Sequence, residues 1–195
     1  QGKNPFVALG NALTRAEAGD GRMIFDVTSP DGKSRRKQTV RIPVLGAYSK
    51  TWPLDCEKSK KIIEQAADFF ADRRNCETVY AGRGIPGALA CLFLLSTGDD
   101  KYIPPVKAYF DSFPKDVKRI GDHTWNNGYN GIACAEYYLR TGDRSVLPLL
   151  QQYCDDARDR QRYGVGWGHW GGKASPRYEA GGGMQHFPGN LILMS

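Results

Sequence analysis

The sequence predicts a mainly α-helical chain, built of helical hairpin repeats over residues 55–195 and preceded by a short α+β segment over residues 1–46, with a linker at 47–54. The first observation is a repeat. Asp122 to Asp143, DHTWNNGYNGIACAEYYLRTGD, joins a polar and aromatic cluster to an apolar helix and a sharp turn, and the same template stands 44 positions earlier (128 − 84). Gly84, Gly87 and Thr97-Gly98-Asp99 match Gly128, Gly131 and Thr141-Gly142-Asp143, and the register continues through Pro104 with Pro148 and Tyr109 with Tyr153. A register held across two helices marks a repeated unit and not one recurring turn. The second observation is an alternation of helix types: helices entered at Pro86-Gly87 and Asn130-Gly131 are apolar nearly all round, whereas Ser145 to Arg160 carries charges on one face. Burial on several sides followed by burial on one is what the inner and outer helices of a layered ring require. The third is the opening order of helix, strand, strand.

Taken in order, Asn4 and Pro5 open an amphipathic helix to about Ala18, with Phe6, Leu9, Ala12, Leu13 and Ala16 at helical spacing and Gly19 ending it. One face of that helix needs a cover. Met23 to Val27 and Thr39 to Val44 read as strands around the turn signal Ser29-Pro30-Asp31-Gly32, with the basic loop Lys33 to Lys37 left to solvent. One hairpin is marginal in water, so further strands are expected from outside these residues. Gly46 to Pro53 reads as a linker with an extended exit at Trp52-Pro53, and Asp55 offers a cap for a helix that runs to about Arg73. Further helices are expected at Pro86–Leu95, Lys101–Phe113, Asn130–Arg140 and Ser145–Arg160. A third copy begins at His186-Phe187-Pro188-Gly189, 58 positions after the second (189 − 131), with an inner helix over Pro188–Met194. The chain stops inside that helix, and so reads as part of a longer polypeptide.

Composition narrows the class. With 195 residues and 41% hydrophobic side chains the chain can bury a core. Twenty-seven basic against 21 acidic residues give a net charge of +6, spread along the sequence, which does not point to nucleic acid. The longest apolar run, Ala88 to Leu95, is far shorter than the ~20 residues of a membrane helix. Cys56, Cys76, Cys91, Cys134 and Cys154 lack CxxC spacing and read as buried free thiols, with a Cys56–Cys76 disulfide left open. Without a Walker loop, dinucleotide fingerprint or nucleophile elbow, no cofactor is expected and serine hydrolase chemistry is disfavoured. His123, His169 and His186 lie near inner-helix entries, but no HExxH or paired-cysteine spacing accompanies them, so no metal is expected.

Pro5 to Leu45 resembles the closing part of a bacterial PDZ domain, in which a helix lining the peptide groove precedes the final strands. The glycine-containing carboxylate loop and the peptide-pairing strand of that domain would lie before Gln1, so no peptide-binding residue carries over. The helical hairpins, with glycine-rich entries and Thr-Gly-Asp turns, resemble the α/α-toroid superfamily of terpene cyclases, prenyltransferases and glycan-cleaving enzymes. Together, a PDZ-like end and toroid repeats carrying His-Thr-Trp-Asn-Asn-Gly-Tyr resemble an uncharacterised bacterial family, which implies an extracytoplasmic location. Fold resemblance does not fix function.

In a toroid, Asp122 to Asn130 would enter an inner helix at the end facing the cavity. Thr124, Trp125, Asn126 and Asn127 replace Tyr80, Ala81, Gly82 and Arg83 of the first copy, a polarity that folding alone does not require. His123 is expected as general acid or base, with Asp122 orienting it and Tyr129 completing the catalytic set. Trp125 and Tyr129 offer stacking surfaces for a sugar, and Asn126 and Asn127 offer hydrogen bonds to hydroxyls or to an oxyanion. The alternative is capping and packing, since Asp and Asn before helices satisfy free N–H groups.

The second candidate is Tyr163 to Gly172, YGVGWGHWGG, where glycines allow close backbone approach and Trp167, His169 and Trp170 supply contacts. It falls in the longer interval between copies, where insertions become loops on the binding face; an aromatic plug closing the ring is the alternative. Glu136 and Glu179 are further candidate acids. Two functions compete: an enzyme acting on a carbohydrate or similar polar substrate, and a non-catalytic scaffold recognising a peptide or glycan. A ligand of either kind is expected to touch both Trp125 and the 167–170 loop.

Overall fold

The computed structural model describes residues 4–72, 84–114 and 124–161 together with Trp167. The expected third inner helix Pro188–Met194 lies outside the described residues. The chain divides into two compact units, Gln1–Ala66 and Ala67–Ser195.

In the first unit, α1 (Pro5–Ala18) starts where the Asn4 side chain accepts from Phe6 N–H and ends at Gly19, whose N–H donates to the Ala16 carbonyl. Gly21 (φ +71°) then turns the chain into the sheet; a Cβ there would stand 2.4 Å from the Ile42 carbonyl oxygen, so glycine is required for the two strand ends to close. Strands β1 (Arg22–Thr28) and β2 (Arg35–Arg41) pair antiparallel, from Arg22↔Arg41 to Thr28↔Arg35. The second strand thus begins at Arg35, earlier than expected, and takes in Arg35, Arg36 and Lys37 of the residues assigned to the loop. The turn is held locally instead: Asp31 accepts from Ser29 Oγ and Lys33 N–H, and Gly32 adopts φ +73°.

The helix face that needed a cover stays open among the described residues. Only Ala16 of α1 is buried, while Phe6, Leu9 and Leu13 are exposed, as are Phe25, Val27 and Val40 on the sheet. Residues 51–55 form turns with a cis Trp52–Pro53 peptide in place of an extended exit. Asp55 takes φ +46° and α2 (Glu57–Ala71) begins two residues later, so Asp55 is not its cap. Lys58 is buried near the start of α2 because its ammonium donates to Glu17 Oε2 at 2.5 Å and lies 4.2 Å from the Tyr48 ring centroid.

The second unit is helical, with no strand among its described residues. It contains α3 (Ile85–Ser96), α4 (Ile103–Asp111), α5 (Thr124–Thr141) and α6 (Leu147–Arg160). Helix α3 packs on α4 and on α5, and α5 packs on α6. The repeat is realised in its turns with the same residues, though the first turn closes its hydrogen bonds three residues back and the second four. Gly98 and Gly142 take φ +73° and +68°; Thr97 and Thr141 hydroxyls donate back to the Leu94 and Tyr137 carbonyls at 2.7 Å each. Asp99 and Asp143 then accept from Lys101 and Ser145 N–H, capping the short 3-10 turns Asp100–Tyr102 and Arg144–Val146 that lead into Pro104 and Pro148. Proline in a first helical turn costs no hydrogen bond, which is why it recurs there.

Arg140 ties the two turns together, donating to the Gly98 carbonyl and to Asp100 at 2.7 and 2.8 Å. Between the helices lies an apolar core that includes Ala88, Leu94, Val106, Phe110, Ala133 and Cys134. Burying side chains the size of Leu94 or Phe110 contributes ~1.5–3 kcal/mol each. The apolar helices are not covered all round, since Leu89 and Leu139 are exposed.

Candidate polar site at the start of α5

Helix α5 begins at Thr124, six residues before the predicted Asn130. Trp125, Asn126, Asn127 and Tyr129 therefore sit on its first turns and not in an entry loop. Asn is a poor helix former because its side chain competes for local backbone groups; here two asparagines are each held by a partner on a neighbouring helix, and the local bond from Asn130 runs back to a carbonyl of the same helix. Asn130 Nδ2 donates to the Asn126 carbonyl at 2.8 Å, while its Oδ1 accepts from the Tyr109 hydroxyl of α4 at 2.7 Å. Asn127 Nδ2 donates to Asp156 Oδ2 on α6, and the same carboxylate oxygen accepts from Arg160 Nε one turn further along.

Asn127, Asn130, Asp156 and Arg160 are 2, 1, 4 and 2% exposed, so this is a buried polar assembly and not a solvated rim. Thr124, at the start of the same helix, is also fully buried, and its hydroxyl has no hydrogen-bond partner among the described residues. Burying an ion pair costs several kcal/mol of solvation per charge, which is recovered only when each charge is paired and hydrogen-bonded, as Asp156 is from two sides.

Asp156 and Arg160 correct the expectation that α6 turns its charges outward. The signal was present in the register: Tyr153, Asp156, Ala157 and Arg160 follow helical spacing on one face, and all four are buried. Two charges on a buried stripe mark a paired interior site, and reading them by type alone misses it.

Trp167 is also buried, and its indole N–H donates to the Ala157 carbonyl at 2.8 Å. It packs on Ala157, one residue from Asp156. Trp125, Asn126 and Tyr129 are half-buried, and Glu136 is exposed. Asp122, His123, His169, Trp170, Glu179 and His186 lie outside the described residues. From the expected set, Asn127 and Trp167 are thus each anchored on α6, at Asp156 and at the Ala157 carbonyl.

Cys56, Cys91 and Cys134 are buried free thiols, whereas Cys154, also free, is exposed; Cys76 lies outside the described residues. Burial pushes the Cys134 thiol up to about 12. The Cys56 thiol is held down at about 6, chiefly by the Ser49 N–H donating to its sulfur, but the side chain is shut away at 2% exposure. Among the described residues no three His, Cys, Asp or Glu side chains gather as metal ligands, and no helix is long and apolar enough to cross a membrane.

A family model described as a domain of unknown function, DUF6288, matches residues 59–195. The comparisons with curated proteins and with solved structures find no match.

Proposed function

The chain belongs to the DUF6288 family, and from that premise we propose that its helical unit is an α/α-toroid enzyme domain acting on a carbohydrate or a similarly polar substrate at the start of α5. The observation that carries the reading is the buried polar assembly of Thr124, Asn127, Asn130, Asp156 and Arg160. A core whose only task is packing is built more cheaply from apolar side chains, so a polar floor fixed by hydrogen bonds from three helices is what a site for polar ligands needs beneath it. Trp125 and Tyr129, half-buried on the same first turns of α5, are the rings this reading assigns to stacking on a sugar. His123 and Asp122, next in sequence, supply the acid or base and its orienting carboxylate.

The second reading is a non-catalytic scaffold that recognises a glycan or peptide. It is favoured by one fact, that Trp167 and Asn127 give their polar atoms to Ala157 and Asp156 and not to solvent.

A glycan panel screened by thermal shift and by product analysis separates the two. The enzyme reading expects turnover that His123→Ala abolishes while ligand binding persists, and binding that Trp125→Ala weakens by ~1–3 kcal/mol. Binding without turnover, unchanged in His123→Ala, selects the scaffold. No binding to any glycan removes the carbohydrate assignment.

A further inference from the structure

The β1–β2 hairpin has an outer edge whose chemistry is unusually uniform, and it does not depend on the site in α5. Ile42 N–H donates to the Gly21 carbonyl and Ser29 N–H to the Ser34 carbonyl at the two ends of the ladder. Hydrogen-bonded and non-hydrogen-bonded pairs alternate along an antiparallel ladder. With the register Thr28↔Arg35, Asp26↔Lys37, Ile24↔Thr39 and Arg22↔Arg41, those four pairs are the non-hydrogen-bonded ones. The backbone N–H and C=O groups of Arg35, Lys37, Thr39 and Arg41 therefore point away from β1, toward the edge that no described strand covers.

The side chains of these same residues share one face of the sheet. Arg35, Lys37 and Arg41 are exposed and make no ion pair among the described residues. Asp26 is the one carboxylate on that face of the two strands, against Arg22, Arg35, Lys37 and Arg41. The opposite face of β2 presents Arg36, Gln38 and Val40.

We propose that the outer edge of β2 accepts an added strand from a partner, an extended segment in which acidic residues alternate with small or apolar ones. Such a strand hydrogen-bonds to the outward backbone groups, places its carboxylates beside Arg35, Lys37 and Arg41, and lays its other side chains beside Gln38 and Val40. A second copy of β2 fits poorly there, because cations would face cations.

The test measures fluorescence anisotropy of the full chain with a seven-residue peptide alternating Glu and Thr. It uses a composition-matched peptide with its Glu residues contiguous, the alternating peptide N-methylated on its hydrogen-bonding face, and a single-stranded oligonucleotide as another polyanion. The alternating peptide is expected to bind at least tenfold tighter than the contiguous one and to lose at least tenfold on N-methylation. Lys37→Glu is expected to lose a similar factor. Thr39→Pro removes one outward N–H while leaving the ladder to β1 intact, since proline is tolerated on an edge, and is expected to do the same. Equal binding of the two peptides, an unaffected N-methylated peptide, or tighter binding of the oligonucleotide overturns the proposal. If nothing binds, the cations serve only to guard the edge against aggregation, and the proposal fails.

Discussion

Helices α3 and α5 hold equivalent places in the repeat, yet their interiors are built on different principles. In α3 the buried positions are Gly87, Ala88, Ala90, Cys91 and Leu94, and none carries a strong hydrogen-bonding group. In α5 the first two turns bury Thr124, Asn127 and Asn130, and only from Gly131 onward does the helix resemble its counterpart. Asn130 stands where α3 has Pro86. The shared part of the repeat, from the glycine to the Thr-Gly-Asp turn, is therefore what the fold needs; the polar entry is an addition to it. That addition is tied to α4 by Tyr109 and to α6 by Asp156 and Arg160.

The largest way to break the comparison is to remove one side of the buried pair. Arg160→Ala leaves Asp156 without its cation in a buried site, and the expected loss is ~3–5 kcal/mol by urea denaturation. Replacing both partners at once, Asp156→Leu with Arg160→Met, is expected to recover most of that loss, because no uncompensated charge remains. A loss below ~1 kcal/mol for Arg160→Ala would falsify the picture of a dry ion pair, since exposed pairs are worth that little. In α3, Leu94→Ala, at 3% exposure, is expected to cost about 2–5 kcal/mol through lost burial and a cavity. A smaller change sharpens the contrast: Tyr109→Phe deletes the donor to Asn130 Oδ1 and is expected to cost about 1 kcal/mol, while the equivalent contact does not exist beneath Pro86.

Much of this was legible in the sequence, and the exceptions share a cause. The repeat register, the turn chemistry and helix α1 follow from glycine, proline and capping residues, whose conformational demands are local. Helix α5 starts earlier than predicted because its Asn residues are held helical by partners on α4 and α6, and those partners are distant in sequence. Strand β2 starts at Arg35 for a related reason: cross-strand pairing with Thr28 and Val27 overrides the solvated-loop character of Arg35 and Arg36. Asp156 and Arg160 were hidden because a charge reads as surface until its place on the Tyr153 stripe is counted.

The smallest effect separates the two turns. Asp99 and Asp143 cap the same 3-10 turn, but position 137 is tyrosine where the first copy has Phe93, and the Tyr137 hydroxyl donates to Asp143 at 2.9 Å. Hydrogen bonds from Ser145 N–H first, and then from the Ser145 and Tyr137 side chains, hold the Asp143 carboxyl down at about 2. A carboxylate with a depressed folded-state value stabilises the fold above its ordinary value of 3.8, and that contribution is lost as pH falls through about 2. Tyr137 moves the other way, pushed up to about 12 by burial first and by the Asp143 contact second, so its contribution is present below pH 10 and is lost as pH rises through about 12. Tyr137→Phe gives the second turn the residue the first has at Phe93. It is expected to shift the acid limb of the stability profile upward in pH and to flatten the alkaline limb, read as thermal midpoints between pH 2 and 12. Asp143→Asn is expected to remove the acid shift while the Asn side chain keeps the cap. An acid limb identical in wild type and Tyr137→Phe would show that Ser145 and the Lys107 ammonium, 3.7 Å from Asp143, set its charge without the tyrosine hydroxyl.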